Sequence, residues 1–107
     1  MTFDEYQDQA LTTVNPLLDL SQQMIDGAMG LCGEAGETIE LIKKHLGQGH
    51  QLSLSAVAEE LGDTLWYMAE IANSLGIRLD KIAQKNLKKI SRRYPDGFDV
   101  ARSISRE

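Results

Sequence analysis

Four acidic residues are arranged in two pairs whose types and spacing could bind a divalent cation. Glu34 and Glu37 lie three residues apart in the segment GEAGE, and Glu60 and Asp63 repeat that spacing in EELGD. Residues three apart share one face of an α-helix, and each pair is set in an apolar pattern that a bundle would turn towards a neighbour. If the pairs face each other, four negative charges converge and must be neutralised, by protonation or, more economically, by a divalent cation. Because every candidate ligand is a carboxylate oxygen, the sequence predicts Mg²⁺ first and Mn²⁺ second.

Positive charge is concentrated in one later segment of an otherwise acidic chain. Within this segment Asn86, Lys89 and Arg93 fall at i, i+3 and i+7, on one side of a predicted helix. Such a stripe could hold a polyphosphate, with the arginine binding in a bidentate manner. The alternative is a solvated basic face that pairs with acids of neighbouring helices, which is the preferred interpretation for the other lysines of the segment.

Helical periodicity covers most of the chain. Thr2 is expected to cap a first helix that stops at Asn15–Pro16, because proline disfavours helical geometry in the residue before it. A second and longest helix follows, and the glycines of GQGHQLS end it. Its apolar residues recur in steps of three and four, which predicts a face buried in the core. The members of this apolar stripe are Ile25, Ala28, Cys32, Ala35, Ile39, Ile42 and Leu46.

Two further helices complete the predicted fold. The third has a similar apolar pattern and is ended by Gly76, and the fourth covers about residues 80–94. Short connections favour antiparallel neighbours, so we predict an all-α antiparallel bundle of four to five helices. One domain is expected over residues 1–98, followed by a weakly helical tail over residues 99–107.

Glycines recur at every third position in the middle of the second helix, although each costs about 1 kcal/mol relative to alanine there. A helix break near residue 30 is the preferred explanation for Gly27 and Gly30. Gly33 and Gly36 bracket the first acidic pair, which instead favours a close approach of a neighbouring helix or a ligand to the backbone.

The composition places further limits on function. The chain has 107 residues, 42% of them apolar, which fits one soluble globular domain whose modest core would benefit from self-association. Its net charge of −5 argues against binding to a nucleic acid polymer. The acidic N-terminus is unlike a signal peptide, and no apolar run approaches the ~20 residues of a membrane span. With Cys32 as the single cysteine, these features predict a cytoplasmic protein without a membrane partner.

The acidic motifs also carry a family resemblance. The segments GEAGE, ELGD and RYPDGF, in this order, resemble the MazG-like all-α nucleoside triphosphate pyrophosphohydrolases, whose signature is ExxE, a spacer and ExxD. The likeness extends from the N-terminal helix to about Phe98. It implies Mg²⁺-dependent hydrolysis of a nucleoside triphosphate between the α- and β-phosphates, which gives a monophosphate and pyrophosphate. It also implies a helical fold assembled as a dimer or a dimer of dimers, with Glu34, Glu37, Glu60 and Asp63 as metal ligands.

The residues fit this chemistry. Triphosphate hydrolysis requires charge neutralisation at the phosphate oxygens and a positioned water, and a carboxylate-bound metal can provide both. One carboxylate could accept the proton of the attacking water, with Glu37 or Glu34 as the candidates. The resemblance also implies that residues of the cationic helix lie near the phosphates, in line with the stripe Asn86, Lys89 and Arg93.

Other functions compete with this one. A di-iron bundle also uses carboxylates on facing helices, but it needs Glu-x-x-His pairs, and neither motif has a histidine at that position. A non-catalytic helical adaptor with solvated acids would leave Gly33 and Gly36 unexplained. Narrower relatives within the superfamily, such as a dUTP or dCTP hydrolase or a phosphoribosyl-ATP pyrophosphohydrolase, fit the same motifs.

An exposed apolar surface is expected on the isolated chain. Long apolar helices on a chain of 11.9 kDa predict a symmetric dimer with the second and third helices at its interface. Trp66 is expected in the core or at this interface, and a base-stacking role near the metal is the less favoured alternative.

Overall fold

The computed structural model describes residues 1–105, which contain five α-helices and no β-strand. The first two are α1, Phe3–Leu11, and α2, Leu20–Gln48. A glycine-containing loop leads to α3, Leu54–Ser74, and a tight turn leads to α4, Leu79–Arg93. The short α5, Val100–Ile104, follows. The all-α prediction is confirmed, and the segment expected to be weakly helical contains a helix of five residues.

The ends of the helices are set by local hydrogen bonds. Thr2 caps α1 by accepting from the backbone N–H of Glu5 at 3.0 Å, and Ser53 caps α3 in the same way. Gly49 and Gly76 adopt left-handed backbone conformations, with φ of 71° and 69°, directly after α2 and close after α3. These positions favour glycine because a Cβ would be strained there.

Two predicted boundaries were wrong. Helix α1 ends at Leu11 rather than near Pro16, because the hydroxyls of Thr12 and Thr13 donate to the carbonyls of the preceding turn and offer the backbone an alternative to further helix. Helix α2 continues through Gly30 without a break.

The main packing contact is the antiparallel pair α2 and α3, and its closest approach lies at two glycines. A Cβ on Gly27 would lie 2.6 Å from the side chain of Ile71 and 3.2 Å from the carbonyl oxygen of Tyr67. A Cβ on Gly30 would overlap the Tyr67 ring. By contrast, nothing lies within 4 Å of a Cβ on Gly33 or on Gly36 in the described chain. The helix break expected at Gly27 and Gly30 is therefore wrong, since these two glycines admit the neighbouring helix. No helix of the described chain approaches Gly33 or Gly36, and approach of a ligand to them stays a prediction.

Helix α1 holds the corner between α3 and α4. The side chain of Gln7 is buried, donates to the carbonyl of Ile77 at 3.0 Å and accepts from the backbone N–H of Leu79 at 2.8 Å. Arg78 lies beside it, with its guanidinium 2.9 Å from Asp8 and 3.5 Å from Asp4. These contacts fix α4 relative to α1, against which it chiefly packs.

The predicted apolar stripe of α2 is not a core face in the single chain. Every member of the stripe is exposed, including Ile39 at 64% and Leu46 at 78%. The face that meets α3 is instead built from small, polar and a few apolar residues. Periodicity identified an apolar face, but no helix of the described chain covers it. None of the described helices is long and apolar enough to cross a membrane.

Candidate metal centre

The α2–α3 pair brings three of the four predicted metal ligands together. One carboxylate oxygen from each of Glu34, Glu37 and Glu60 lies within 4.8 Å of the other two. Glu34 and Glu37 come from successive turns of α2, and Glu60 comes from the facing turn of α3. We call these three side chains the acidic cluster.

The acidic cluster is electrostatically strained. A hydrogen bond with Glu60 and the negative charge of that residue raise the pKa of Glu37 above its usual range. The pKa of Glu60 is raised chiefly by a hydrogen bond with Glu34. Among the described residues, one oxygen of Glu34 and one of Glu60 are buried without a hydrogen-bond partner. Negative charge and unsatisfied acceptors therefore coincide at one point.

Asp63 lies at the edge of the acidic cluster. It is exposed and is not among the three tightly grouped carboxylates. Its negative charge nevertheless contributes to the raised pKa of both Glu37 and Glu60. With Glu34 it lines the adjoining cleft, so a molecule bound in that cleft would lie beside Asp63 and the acidic cluster.

A hard divalent cation fits this donor set. All donors are carboxylate oxygens, two of them buried and without a partner in the described structure, and oxygen ligands of this kind suit Mg²⁺ or Mn²⁺ better than softer metals. A cation would relieve the mutual repulsion and satisfy the buried acceptors together.

An open cleft adjoins the acidic cluster. Its volume is about 360 Å³, and it is lined by Glu34, Asp63, Trp66 and Tyr67. Trp66 is half-buried and packs against the small core formed around Ala69, in keeping with the expected core position. Both aromatic residues follow Asp63 within one helical turn. This spacing is the sequence signal that places them beside the motif.

The predicted phosphate-binding stripe lies on a different helix. Asn86 and Lys89 are exposed on α4, and Arg93 is half-buried at its end. Helix α4 packs chiefly against α1, whereas the acidic cluster lies between α2 and α3. A contact of this stripe with a bound polyphosphate stays a prediction.

A second acidic pair on the same two helices was missed by the sequence reasoning. Glu70 is 1% exposed, and no donor reaches either of its oxygens within the described residues. Burial, followed by the neighbouring carboxylate of Asp26, raises the pKa of Glu70 to about 7. The available signal was spacing, since Glu70 follows Asp63 by seven residues and so falls on the same face of α3.

Comparison with known proteins agrees with the motifs. The profile of the MazG nucleotide pyrophosphohydrolase domain matches residues 23–98. The Gene 37 protein of Mycobacterium phage L5 is 41% identical over 73 residues, an alignment that covers 64% of each chain. The chain thus spans less than two thirds of this relative, whose name states no activity. No solved structure gives a significant match.

Because the family profile covers most of the chain, including both acidic motifs, this protein belongs to the MazG nucleotide pyrophosphohydrolase family.

Proposed function

We propose that this protein is a Mg²⁺-dependent nucleoside triphosphate pyrophosphohydrolase that converts a (d)NTP to the (d)NMP and pyrophosphate. The observation that carries the proposal is the convergence of Glu34, Glu37 and Glu60 across α2 and α3, in a chain of the MazG family. Water attacks the α-phosphorus, the bond to the bridging oxygen of the β-phosphate breaks, and pyrophosphate leaves.

The acidic residues divide into binding and proton-accepting roles. Glu34, Glu37 and Glu60, with Asp63 at the edge, would hold the cation. When bound, the cation would supply charge neutralisation at the phosphate oxygens and would lower the pKa of a bound water. Glu37 is the more exposed of the two candidate bases, so it is our first choice for the group that accepts the proton of the attacking water, with Glu34 second.

The α4 stripe would bind the remaining phosphate charge. Lys89 and Arg93 supply two cations, and Asn86 supplies an amide donor on the same side of the helix. In a chain with a net charge of −5, such a local excess of positive charge is well suited to attract a polyphosphate.

We further propose that the protein acts as a dimer or a dimer of dimers. The accessible surface of the chain is 7884 Å², whereas a compact monomer of 11.9 kDa exposes roughly 6,000 Å². The radius of gyration is 16.9 Å, compared with about 13 Å for a compact domain of this length. The excess surface is of the size that an obligate dimer buries per chain. We place the exposed apolar stripe of α2 at the centre of the proposed dimer interface.

Product analysis tests the proposed reaction. A panel of canonical, deoxy and oxidised nucleoside triphosphates, together with phosphoribosyl-ATP, is incubated with the protein and Mg²⁺, and the products are separated by chromatography. We expect monophosphate and pyrophosphate, no reaction in excess EDTA, and partial recovery with Mn²⁺. Orthophosphate as the first product would contradict the proposal, and reaction with only dUTP, dCTP or phosphoribosyl-ATP would narrow it to one of those relatives.

A further inference from the structure

The cleft beside the acidic cluster has two chemically different ends. Glu34 and Asp63 form the acidic end, and Trp66 and Tyr67 form an aromatic end. Its volume of about 360 Å³ falls within the range of small-molecule sites. A ligand that matches both ends would therefore combine an anionic group, which binds to a cation held by the acidic cluster, with a flat apolar group.

The indole of Trp66 is fixed from outside the two central helices. Its ring N–H donates to the hydroxyl of Thr13 at 2.8 Å, and that hydroxyl donates to the carbonyl of Ala10 at 2.7 Å. Thr13 follows α1 and lies outside residues 23–98, the segment matched by the family profile. Because the single polar atom of the indole is satisfied on this side, the part of the ring that lines the cleft is apolar surface.

The ring of Tyr67 is fixed from the opposite helix. It lies over Gly30, where a Cβ would overlap it. The two aromatic rings meet edge to face, with centroids 5.1 Å apart and planes at 88°. Both rings line the same cleft, and aromatic side chains grouped in this way favour a flat aromatic ligand group.

We propose that this Trp66–Tyr67 corner is the nucleobase wall of the cleft, so that the base of a nucleotide stacks on Trp66 while its phosphates reach the acidic cluster. The inference rests on the pyrophosphohydrolase function proposed above and adds to it the position of the base. Stacking of one base on an aromatic side chain raises affinity by about tenfold to a hundredfold.

The fluorescence of Trp66 tests this directly, because it is the single tryptophan of the chain. The full chain with Mg²⁺ is titrated with α,β-methylene adenosine triphosphate, which carries a base, and with tripolyphosphate, which does not. We expect the nucleotide to quench or shift the emission and tripolyphosphate to leave it unchanged, although tripolyphosphate competes for the site. An equal response to both ligands would overturn the proposal.

Substitutions separate stacking from a structural role. In Trp66→Leu we expect the KM for a nucleoside triphosphate to rise by about tenfold to a hundredfold, while the inhibition constant of tripolyphosphate stays unchanged. Trp66→Phe should be intermediate, and Phe3→Leu, which removes an exposed aromatic from α1, is the matched control. A parallel loss of affinity for both ligands in both Trp66 variants would overturn the proposal.

The outcomes also separate this inference from the proposed reaction. Base-dependent quenching without hydrolysis of any triphosphate would keep the nucleobase wall and overturn the catalytic function. Normal hydrolysis with an unchanged KM in Trp66→Leu would keep the catalytic function and overturn the nucleobase wall.

Discussion

The two groups of acids between α2 and α3 differ in their access to water. The acidic cluster of Glu34, Glu37 and Glu60 opens onto a cleft, whereas Glu70, beside Asp26, is 1% exposed. In the open group the pKa values of Glu37 and Glu60 are raised chiefly by the other carboxylates. At Glu70 burial is the larger cause. Like-charge repulsion therefore arises in two settings: a cation would relieve it where solvent has access, and protonation would relieve it where burial excludes solvent.

The largest expected effect comes from removing a ligand of the open group. Glu60→Gln keeps the shape of the side chain but removes a charge and a metal-binding oxygen, so kcat/KM at saturating Mg²⁺ should fall about a hundredfold. Stability in EDTA should stay equal or rise, because repulsion is relieved. Asp63→Ala should also lose activity, which tests whether the residue at the edge is a ligand.

Glu40→Gln serves as the control for this series. Glu40 lies one turn beyond Glu37, is exposed, and pairs with Lys43 and Lys44 at 4.0 and 3.8 Å. Its replacement should leave kcat/KM unchanged. Wild-type turnover in Glu60→Gln would refute the metal assignment.

The buried group should respond to pH and not to metal. Burial, followed by the neighbouring carboxylate of Asp26, raises the pKa of the Glu70 carboxyl from an ordinary value of 4.5 to about 7 in the folded chain. The folded state holds the proton more tightly, so the free energy of unfolding is highest below this window and falls as pH rises through it. The fall should total about 3 kcal/mol between pH 4.5 and 7.

Glu70→Gln should remove this dependence, because the amide is neutral at every pH and can donate to Asp26. Urea unfolding of the wild type and the variant from pH 5 to pH 8, in EDTA, measures the difference. Glu59→Gln, at an exposed position of the same helix, is the control. Parallel stability curves for wild type and Glu70→Gln would show that Glu70 carries no such proton.

Substitutions in the α4 stripe test which positively charged side chains contact the substrate. Arg93→Ala should lower kcat/KM by a factor that corresponds to about 2–3 kcal/mol of lost transition-state stabilisation, as for a charge-assisted hydrogen bond. Arg93→Lys should be intermediate, because it keeps the charge without the planar fork. Lys81→Ala, at the other end of α4, is the control. Equal kinetics for the two alanine variants would mean that the stripe is only a solvated face.

The smallest expected effects compare glycines at the two ends of the same helix contact. Gly30→Ala should destabilise the protein by about 1–3 kcal/mol, because its Cβ would displace the Tyr67 ring. Gly33→Ala meets open space in the single chain and should stabilise α2 by up to about 1 kcal/mol. Thermal unfolding measures both, and a loss of stability in Gly33→Ala would indicate that a second copy covers this face.

Light scattering tests the assembly itself. At micromolar concentration we expect a particle of at least twice 11.9 kDa. Ile39→Asp, at an exposed position, should weaken the assembly because it places a charge in the apolar stripe. A particle of the size of one chain for the wild type would refute the proposed dimer.

The sequence predicted the local structure better than the packing. Thr2 and Gly76 were identified as helix-end residues because capping depends on neighbours along the chain. The apolar stripe of α2 was assigned to the core because periodicity reveals an apolar face but not whether another helix of the chain packs against it. Glu70 was missed because its spacing from Asp63 indicates a shared face of α3 but not burial, which depends on α2 lying opposite.

The Gln7 contact has a consequence for synthesis of the chain. Its amide satisfies the backbone at Ile77 and Leu79, hydrogen bonds that span 70 and 72 residues. On the ribosome α1 emerges early, yet the corner that it recognises is translated only in the last third of the chain. This part of the α1 docking site therefore forms late, and contacts between residues so far apart in the sequence form slowly because the entropy of loop closure is lost first. Ribosome-bound chains that end before Ile77 should leave α1 more accessible to protease than chains that continue through α4.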